Sequence, residues 1–402
     1  MTVHVRNPTE NELRDAMGAA LTAFAEDMVE ADWERERVSV PLERAIAAFD
    51  DGRPVGFSAA YEFEMTVPGG SLPTAGVTWV GVLPTHRRRG VLRELMVRHL
   101  EDAHARGEPL AALYASEAAI YGRFGYGLAS HTLRIDAESS RIAWRDDSGR
   151  QGEARLVDAE EAFALFSPFY ERLRRERPGM ISRSEHWWRK HKLADYEHWR
   201  RGASRRFYAA LELDGELAGY ALYRVKDEWE HGYPKGEIQI VEALAKPGAA
   251  TRELWRFLFG IDLTTRVKSD FFDTASPLVL QVVDPRALHI EVRDGLWLRL
   301  VDVETALRAR SYAGDDSLVI EVRDEQLAWN SGRYRIGPNV ERTDDEADLA
   351  IRVDDLATAF LGAFNFHRLA SAGRVEERTP GALGRASALF GTPLPPYCPE
   401  VF

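Results

Sequence analysis

Cysteine is almost absent: Cys398 stands alone among 402 residues, which excludes an intrachain disulfide and any metal site built from cysteine clusters. No apolar run approaches the roughly 20 residues that cross a bilayer. The opening residues Met1-Thr2-Val3-His4-Val5-Arg6 lack the basic-then-apolar order of a secretory signal. Positive charge is also in deficit, with 52 Lys and Arg against 64 Asp and Glu and a formal charge of −12. A nucleic-acid binder needs a basic footprint. These absences predict a cytoplasmic protein with no metal, no membrane span and no nucleic-acid partner. An acidic balance suits cationic ligands, because opposite charge steers association; it also keeps a large protein soluble.

What is present is ordinary globular composition, 45% hydrophobic and 29% charged. The length predicts two or three domains at roughly 150 residues each. Residues 8–32 read as helical, with Leu13, Met17, Leu21 and Phe24 at helical spacing behind the capping Thr9. Ile46 to Phe63 reads as a hairpin turning at Asp51-Gly52. Val77 to Val82 is a strand rich in β-branched residues, and Val91 to Ala105 is a helix with Leu92, Leu95, Met96, His99 and Leu100 on one face. Leu110 to Ala115 forms another strand before a short helix around Ala118 to Phe124.

A second block repeats this plan. Asp51-Gly52-Arg53-Pro54-Val55-Gly56-Phe57 has its counterpart in Asp214-Gly215-Glu216-Leu217-Ala218-Gly219-Tyr220. A strand, Gly236 to Leu244, and a helix carrying Leu254, Trp255 and Leu258 follow at similar spacing. The copies differ between strand and helix. The first has His86-Arg87-Arg88-Arg89-Gly90; the second has Ala245-Lys246-Pro247-Gly248-Ala249-Ala250, without arginines. The pattern predicts a duplicated domain whose second copy kept the scaffold and lost an anion site.

From about Gly295 the texture changes. Leu296 to Leu300 alternates like a strand and Val303 to Ser311 is helical. Leu318 to Val322, Gln326 to Asn330 and Gly332 to Ile336 read as a meander, followed by a strand at Leu349 to Val353 and helices at Asp355 to Gly362 and Ala382 to Phe390. The tail contains Pro393, Pro395, Pro396 and Pro399, so it should run extended to Phe402.

The chemistry concentrates in Val80 to Tyr126. A strand running through Arg87-Arg88-Arg89-Gly90 into a helix places backbone N–H groups at a positive helix end, where phosphates bind. Gly90 permits close backbone approach, and the arginines add charged donors. An arginine run alone is more often a solvated loop; strand before, glycine within and apolar helix after reverse those odds.

With those residues in place, the segment resembles the acyl-CoA signature of GNAT acetyltransferases. Leu92 departs from the small residue of the generic loop pattern. A narrower family accommodates it. Leu72-Pro73-Thr74-Ala75-Gly76, Pro84-Thr85-His86-Arg87-Arg88-Arg89-Gly90-Val91-Leu92-Arg93 and Ala115-Ser116-Glu117, continuing through Ile120-Tyr121-Gly122-Arg123-Phe124-Gly125-Tyr126-Gly127, resemble the Eis (enhanced intracellular survival) acetyltransferases. Tyr220 to Val225, Asp294 to Arg299 and the tail ending in Phe402 extend the likeness over the whole chain.

The resemblance implies an α+β fold with an active GNAT domain at 1–150, a degenerate GNAT domain at 151–290 and a sterol carrier protein-like domain at 291–402. It implies acetyl-CoA as cosubstrate. The backbone of Val80, Gly81 and Val82 would hold the pantetheine arm, and Arg88, Arg89, Gly90, Val91, Leu92 and Arg93 the pyrophosphate, with Arg87 also binding the cofactor and Ser116 and Glu117 touching the cofactor from the next strand. Tyr126 takes the general-acid position and the Phe402 terminal carboxylate that of the base. A phenol, with an ordinary pKa of about 10, is a fair match for a thiolate leaving group, whereas a terminal carboxylate near 3.5 is a weak base in water. Carboxylates beside aromatics near the N-terminal helix, with Phe24, Glu26, Trp33 and the distant Glu400 as candidates, would suit a polycationic amine such as an aminoglycoside or a lysine-containing protein. A solvated acidic face is the plainer reading of any one of them. The family also implies a homohexamer. The competing reading is a hydrophobic-ligand carrier that retains vestigial acetyltransferase domains.

Overall fold

The computed structural model describes residues 3–146, 149 and 151–402. The domain boundary expected at 150 lies outside the described residues, as do Met1 and Thr2. The chain forms two compact units. One comprises the chain up to Ser130, Arg177–Ser182 and Gly295–Phe402; the other comprises His131–Glu176 and Arg183–Asp294.

The first unit opens with β1 (His4–Arg6), α1 (Glu10–Ala23), α2 (Glu30–Ser39), β2 (Ala45–Asp50), β3 (Arg53–Val67) and β4 (Gly70–Val82). Then come α3 (Val91–Ala105), β5 (Leu110–Tyr114), α4 (Ala118–Tyr121) and β6 (Gly127–Leu128). The helix expected over 8–32 is two helices. At its start the Thr9 N–H donates to the Glu12 carboxylate at 2.8 Å. It stops at Ala23 because Ala25 turns left-handed (φ 58°) and the Glu26 N–H returns to the Leu21 carbonyl. Glu26 and Asp27 would oppose the negative end of a continued helix.

The sheet runs β1-β2-β3-β4-β5, then the strand Leu296–Leu300, then β6. β4 and β5 are parallel and the other pairs antiparallel. β5 is buried along almost its whole length, so its outer edge needs a backbone partner. Leu296–Leu300 supplies it, with Leu296, Leu298 and Leu300 completely buried. Its strand character was readable in the sequence. Its place in the first sheet was not.

A five-stranded sheet completes this unit, ordered Glu341–Arg342, Gly332–Ile336, Leu318–Arg323, Leu349–Arg352 and Val375–Glu377. The helices Val353–Phe360, Phe366–Ser371 and Ala382–Leu389 accompany it. Gln326 to Asn330, expected as a strand, is a bend that runs into a single 3-10 turn at Ala328–Asn330. The Asp324 carboxylate accepts from the backbone N–H of Gln326 at 3.0 Å and Leu327 at 3.1 Å, which curls the chain before it can extend.

The second unit carries a seven-stranded sheet in the order Glu291–Asp294, His131–Glu138, Thr264–Phe272, Gly236–Ala245, Glu216–Lys226, Phe207–Leu213 and Glu153–Val157. The helix Ala249–Phe259 buries Leu254, Trp255 and Leu258. The duplication shows in the backbone itself. Asp51 and Gly52 have φ of 49° and 76°, and Asp214 and Gly215 have 52° and 79°, the same hairpin turn twice. Both copies then carry a register shift on the hairpin and a parallel pairing of limited length beyond it.

Candidate active site

The parallel ladder between β4 and β5 stops at Gly76 opposite Ala112. Beyond it β4 continues to Val82 with no β5 partner, because two things turn it away. Trp79 adopts φ of 58°, an uncommon conformation for a bulky residue, and the pairing to β3 slips between Phe57 and Ala59. The result is a wedge between two parallel strands, with the backbone of Val80 to Val82 on one side and Ser116 and Glu117 on the other.

A cavity of about 720 Å³ occupies this wedge. Of the residues expected to hold the cosubstrate, Val80, Gly81, Val82, Arg87, Arg88, Gly90, Val91, Leu92, Arg93, Ser116 and Glu117 all line it. Arg89 does not; it is exposed on the loop. Gly90 caps α3 in the left-handed region (φ 86°), a conformation that costs other residues, and so turns the first N–H groups of the helix toward the loop. Gly81 serves proximity instead: a Cβ there would stand 2.7 Å from Ala20 Cα, so its absence lets α1 lie against β4. That packing brings Ala23 and Phe24 to the cavity rim.

Tyr126 is 1% exposed and sits behind this wall. It packs into a cluster with Tyr121 and Phe124, which also line the cavity, and its ring lies 6.1 Å from that of Tyr121. Its hydroxyl is buried with no hydrogen-bond partner among the described residues. Burial raises the phenol pKa, while Arg299 pulls it down. The neighbouring tyrosines are spoken for: Tyr114 donates to the Cys398 carbonyl at 2.8 Å and Tyr121 pairs with Ser116.

The C-terminal tail is docked. Arg177 Nε donates to the Pro395 carbonyl at 2.6 Å, and the Tyr397 N–H to Pro178 at 2.9 Å. Residues Arg177–Ser182 make this platform by pairing with the end of β3, where the Thr66 N–H meets the Met180 carbonyl and the Ser182 N–H that of Glu64. The Phe402 ring closes the tail between Phe63, at 5.1 Å, and Tyr114, at 5.9 Å.

The proposed substrate contacts scatter. Phe24 lines the cavity, Glu26 is exposed beyond α1, and Trp33 lies under Arg14 at 5.4 Å. Glu400 is buried within the tail. His99 does not serve as a base at neutral pH, since burial pushes its imidazole down to about 3 and Ser58 holds it at 2.7 Å. Sequence reasoning missed His86, Ile120, Arg123 and Gln326, which also line the cavity. The first three stand inside the quoted motifs; Gln326 carried no local signal.

In the second unit the corresponding helix starts at Gly248 with no arginine in the preceding loop, and Lys246 pairs with Glu216 at 3.5 Å. Behind it Glu242 binds Arg183 and Lys192, and Tyr220 donates to it at 2.5 Å, all of them buried. These buried groups form one ion-pair network within the second unit.

Residues 4–129 match the model of a GNAT acetyltransferase domain, 179–310 a second GNAT acetyltransferase domain, and 303–399 a sterol carrier protein domain. An uncharacterized N-acetyltransferase of Streptomyces avermitilis is 41% identical, covering all of both chains. The N-acetyltransferase Eis of Mycobacterium tuberculosis is 35% identical over 98% of each chain. The crystal structure of Eis1 from Mycobacterium abscessus superimposes with a TM-score of 0.86 at 33% identity, again over both whole chains.

Proposed function

This chain belongs to the Eis family of GNAT N-acetyltransferases, and from that premise we propose that it acetylates primary amines of polycationic acceptors by direct attack. The observation that carries this reading is the wedge: a free strand edge, a helix N-terminus and four arginines converge on one cavity, with an orphaned phenol behind its wall. Acetyl-CoA use follows from the fold, and these residues fit it. When bound, it supplies an electrophilic thioester and a thiolate leaving group.

The chain's own groups divide the work. The backbone of Val80, Gly81 and Val82 offers donors and acceptors for the pantetheine amides, as a further strand would. Arg87, Arg88 and Arg93, with the first N–H groups of α3, hold the pyrophosphate. Tyr126 gives its proton to the leaving sulfur, and the Phe402 carboxylate takes one from the attacking amine. The wall around Tyr121 and Phe124 excludes water, which would otherwise hydrolyse the thioester.

Acetyl-CoA-dependent release of thiol, screened over aminoglycosides, polyamines and lysine peptides, tests the reading. No turnover with any amine, together with tight binding of apolar ligands, would favour the carrier. The carrier has little support in the C-terminal sheet, where a cavity of about 320 Å³ is walled largely by Arg323, Arg352, Asp354, Asp355, Arg374 and Glu376. Reversing charge in Arg88→Glu or Arg93→Glu should raise the KM for acetyl-CoA by roughly tenfold or more each, since a charge-assisted bond is worth about 1.5–3 kcal/mol. Thermal unfolding should be unchanged, both side chains being exposed. An unchanged KM would remove that arginine from the site. The family's hexamer is proposed here too, and a monomer mass by light scattering would reject it.

A further inference from the structure

β6 and the strand Leu296–Leu300 run antiparallel, with Gly127 opposite Leu298 and Leu128 opposite Trp297. One further step of that register sets Tyr126 opposite Arg299. Opposed residues share a face, with Cβ atoms about 5 Å apart. The guanidinium also lies against the backbone just before the tyrosine: a Cβ on Gly125 would stand 2.7 Å from Arg299 Cζ. Arg299 is completely buried, and its Nε, like Tyr126 Oη, has no hydrogen-bond partner among the described residues.

Arg299 is held from the other side. Its Nη2 meets Asp324 Oδ2 at 2.6 Å and its Nη1 donates to the Leu300 carbonyl at 3.0 Å. Asp324 is itself saturated, accepting from Asn330 Nδ2 at 2.9 Å and from the N–H groups of Gln326 and Leu327. Gln326 is the residue this turn delivers to the cofactor cavity. A buried ion pair is seldom retained for stability alone, because an apolar pair of the same volume often does as well. The charged and titratable groups acting on Tyr126 are Arg299 from its strand and the Tyr121 phenol from α4, with Asp324 and Asp354 behind the guanidinium.

We propose that Arg299, clamped by Asp324, is a positioning residue that keeps the Tyr126 phenol a usable acid, so that the C-terminal domain forms part of the active site. This rests on Tyr126 being the acid. As the C–S bond breaks, one proton passes from Tyr126 Oη to sulfur. The phenolate left behind is balanced by the guanidinium until product release readmits solvent, which returns the proton.

The test compares Arg299→Lys, Asp324→Asn and the double variant Arg299→Met with Asp324→Asn, each checked for folding by thermal unfolding. The double variant, which leaves no unpaired buried charge, should lose roughly tenfold in kcat at unchanged KM for acetyl-CoA. Arg299→Lys should recover most of it. Asp324→Asn exposes Tyr126 to an uncompensated cation, so the alkaline limb of kcat should move to lower pH. A tyrosinate absorbance titration of the cofactor-free protein, each variant referenced to its own Tyr126→Phe form, should give the order Asp324→Asn, wild type, double variant from low to high pH. A merely structural pair would not move the two in opposite directions. Coincident titrations, or a double variant with wild-type kcat, overturn the proposal. If the double variant does not fold, Arg299→Lys and Asp324→Asn decide it. An active Tyr126→Phe enzyme would instead remove the acid assignment itself, whereas an inactive one with no ordering in the titrations sinks only the role of Arg299.

Discussion

Replacing Tyr126 with phenylalanine lowers kcat by roughly 10²–10⁴-fold, the usual contribution of a positioned general acid, and leaves acetyl-CoA affinity in place. Shape favours a clean experiment. The ring packs with Tyr121, Phe124 and Leu113 in a closed cluster, and phenylalanine fills the same volume. The hydroxyl has no partner to lose, so removing it relieves an uncompensated buried donor that costs about 1–3 kcal/mol. Thermal stability should therefore hold or rise slightly while turnover collapses. That opposite movement distinguishes a chemical role from a packing one. The sign of the pH dependence is also set. Burial raises the phenol above its ordinary value, so Tyr126 carries its proton at neutral pH and the acid limb of the rate profile belongs to another group. A Tyr126→Phe enzyme with near wild-type kcat would end the assignment.

Moving the last carboxylate should be nearly as damaging. Adding one glycine after Phe402 keeps the ring between Phe63 and Tyr114 but carries the carboxylate away, and kcat should fall by roughly 10²-fold or more. Deleting Phe402 removes the ring and draws the terminal carboxylate back onto Val401, and should be at least as severe. Phe402→Ala separates the two contributions: the carboxylate stays, its anchor goes, and a smaller loss with poorer saturation by the amine is expected. The docking at Pro395, Tyr397 and Cys398 does not depend on residue 402, so the upstream tail should hold in all three variants. Stopped-time thiol release against a saturating amine reads all of them. Full activity with a C-terminal tag would exclude the terminal base.

The wedge was legible because its parts are contiguous. An arginine run, a glycine and an apolar helix each announce themselves within a few residues, and Arg87, Arg88, Gly90 and Arg93 duly line one cavity. The duplicated hairpin was legible for the same reason, since Asp-Gly turns impose their own backbone geometry. The acceptor side was less so. Phe24, Glu26, Trp33 and Glu400 were grouped by residue type, and the structure brings only Phe24 to the cavity, because α1 ends at Ala23 and a second helix begins at Glu30.

By itself, then, the sequence determined what local rules govern: the elements, the positive helix end, the loss of arginines in the second copy, and a proline-stiffened tail. Tertiary structure alone decided what distant segments do together. Leu296–Leu300 joins a sheet begun near the N-terminus, Arg177–Ser182 becomes the platform for a tail ending at Phe402, and Asp324 holds Arg299 against Tyr126. The physical reason is that buried backbone and buried charge must find partners wherever the chain can supply them. Periodicity reports only which residues want to be buried; it does not say against what.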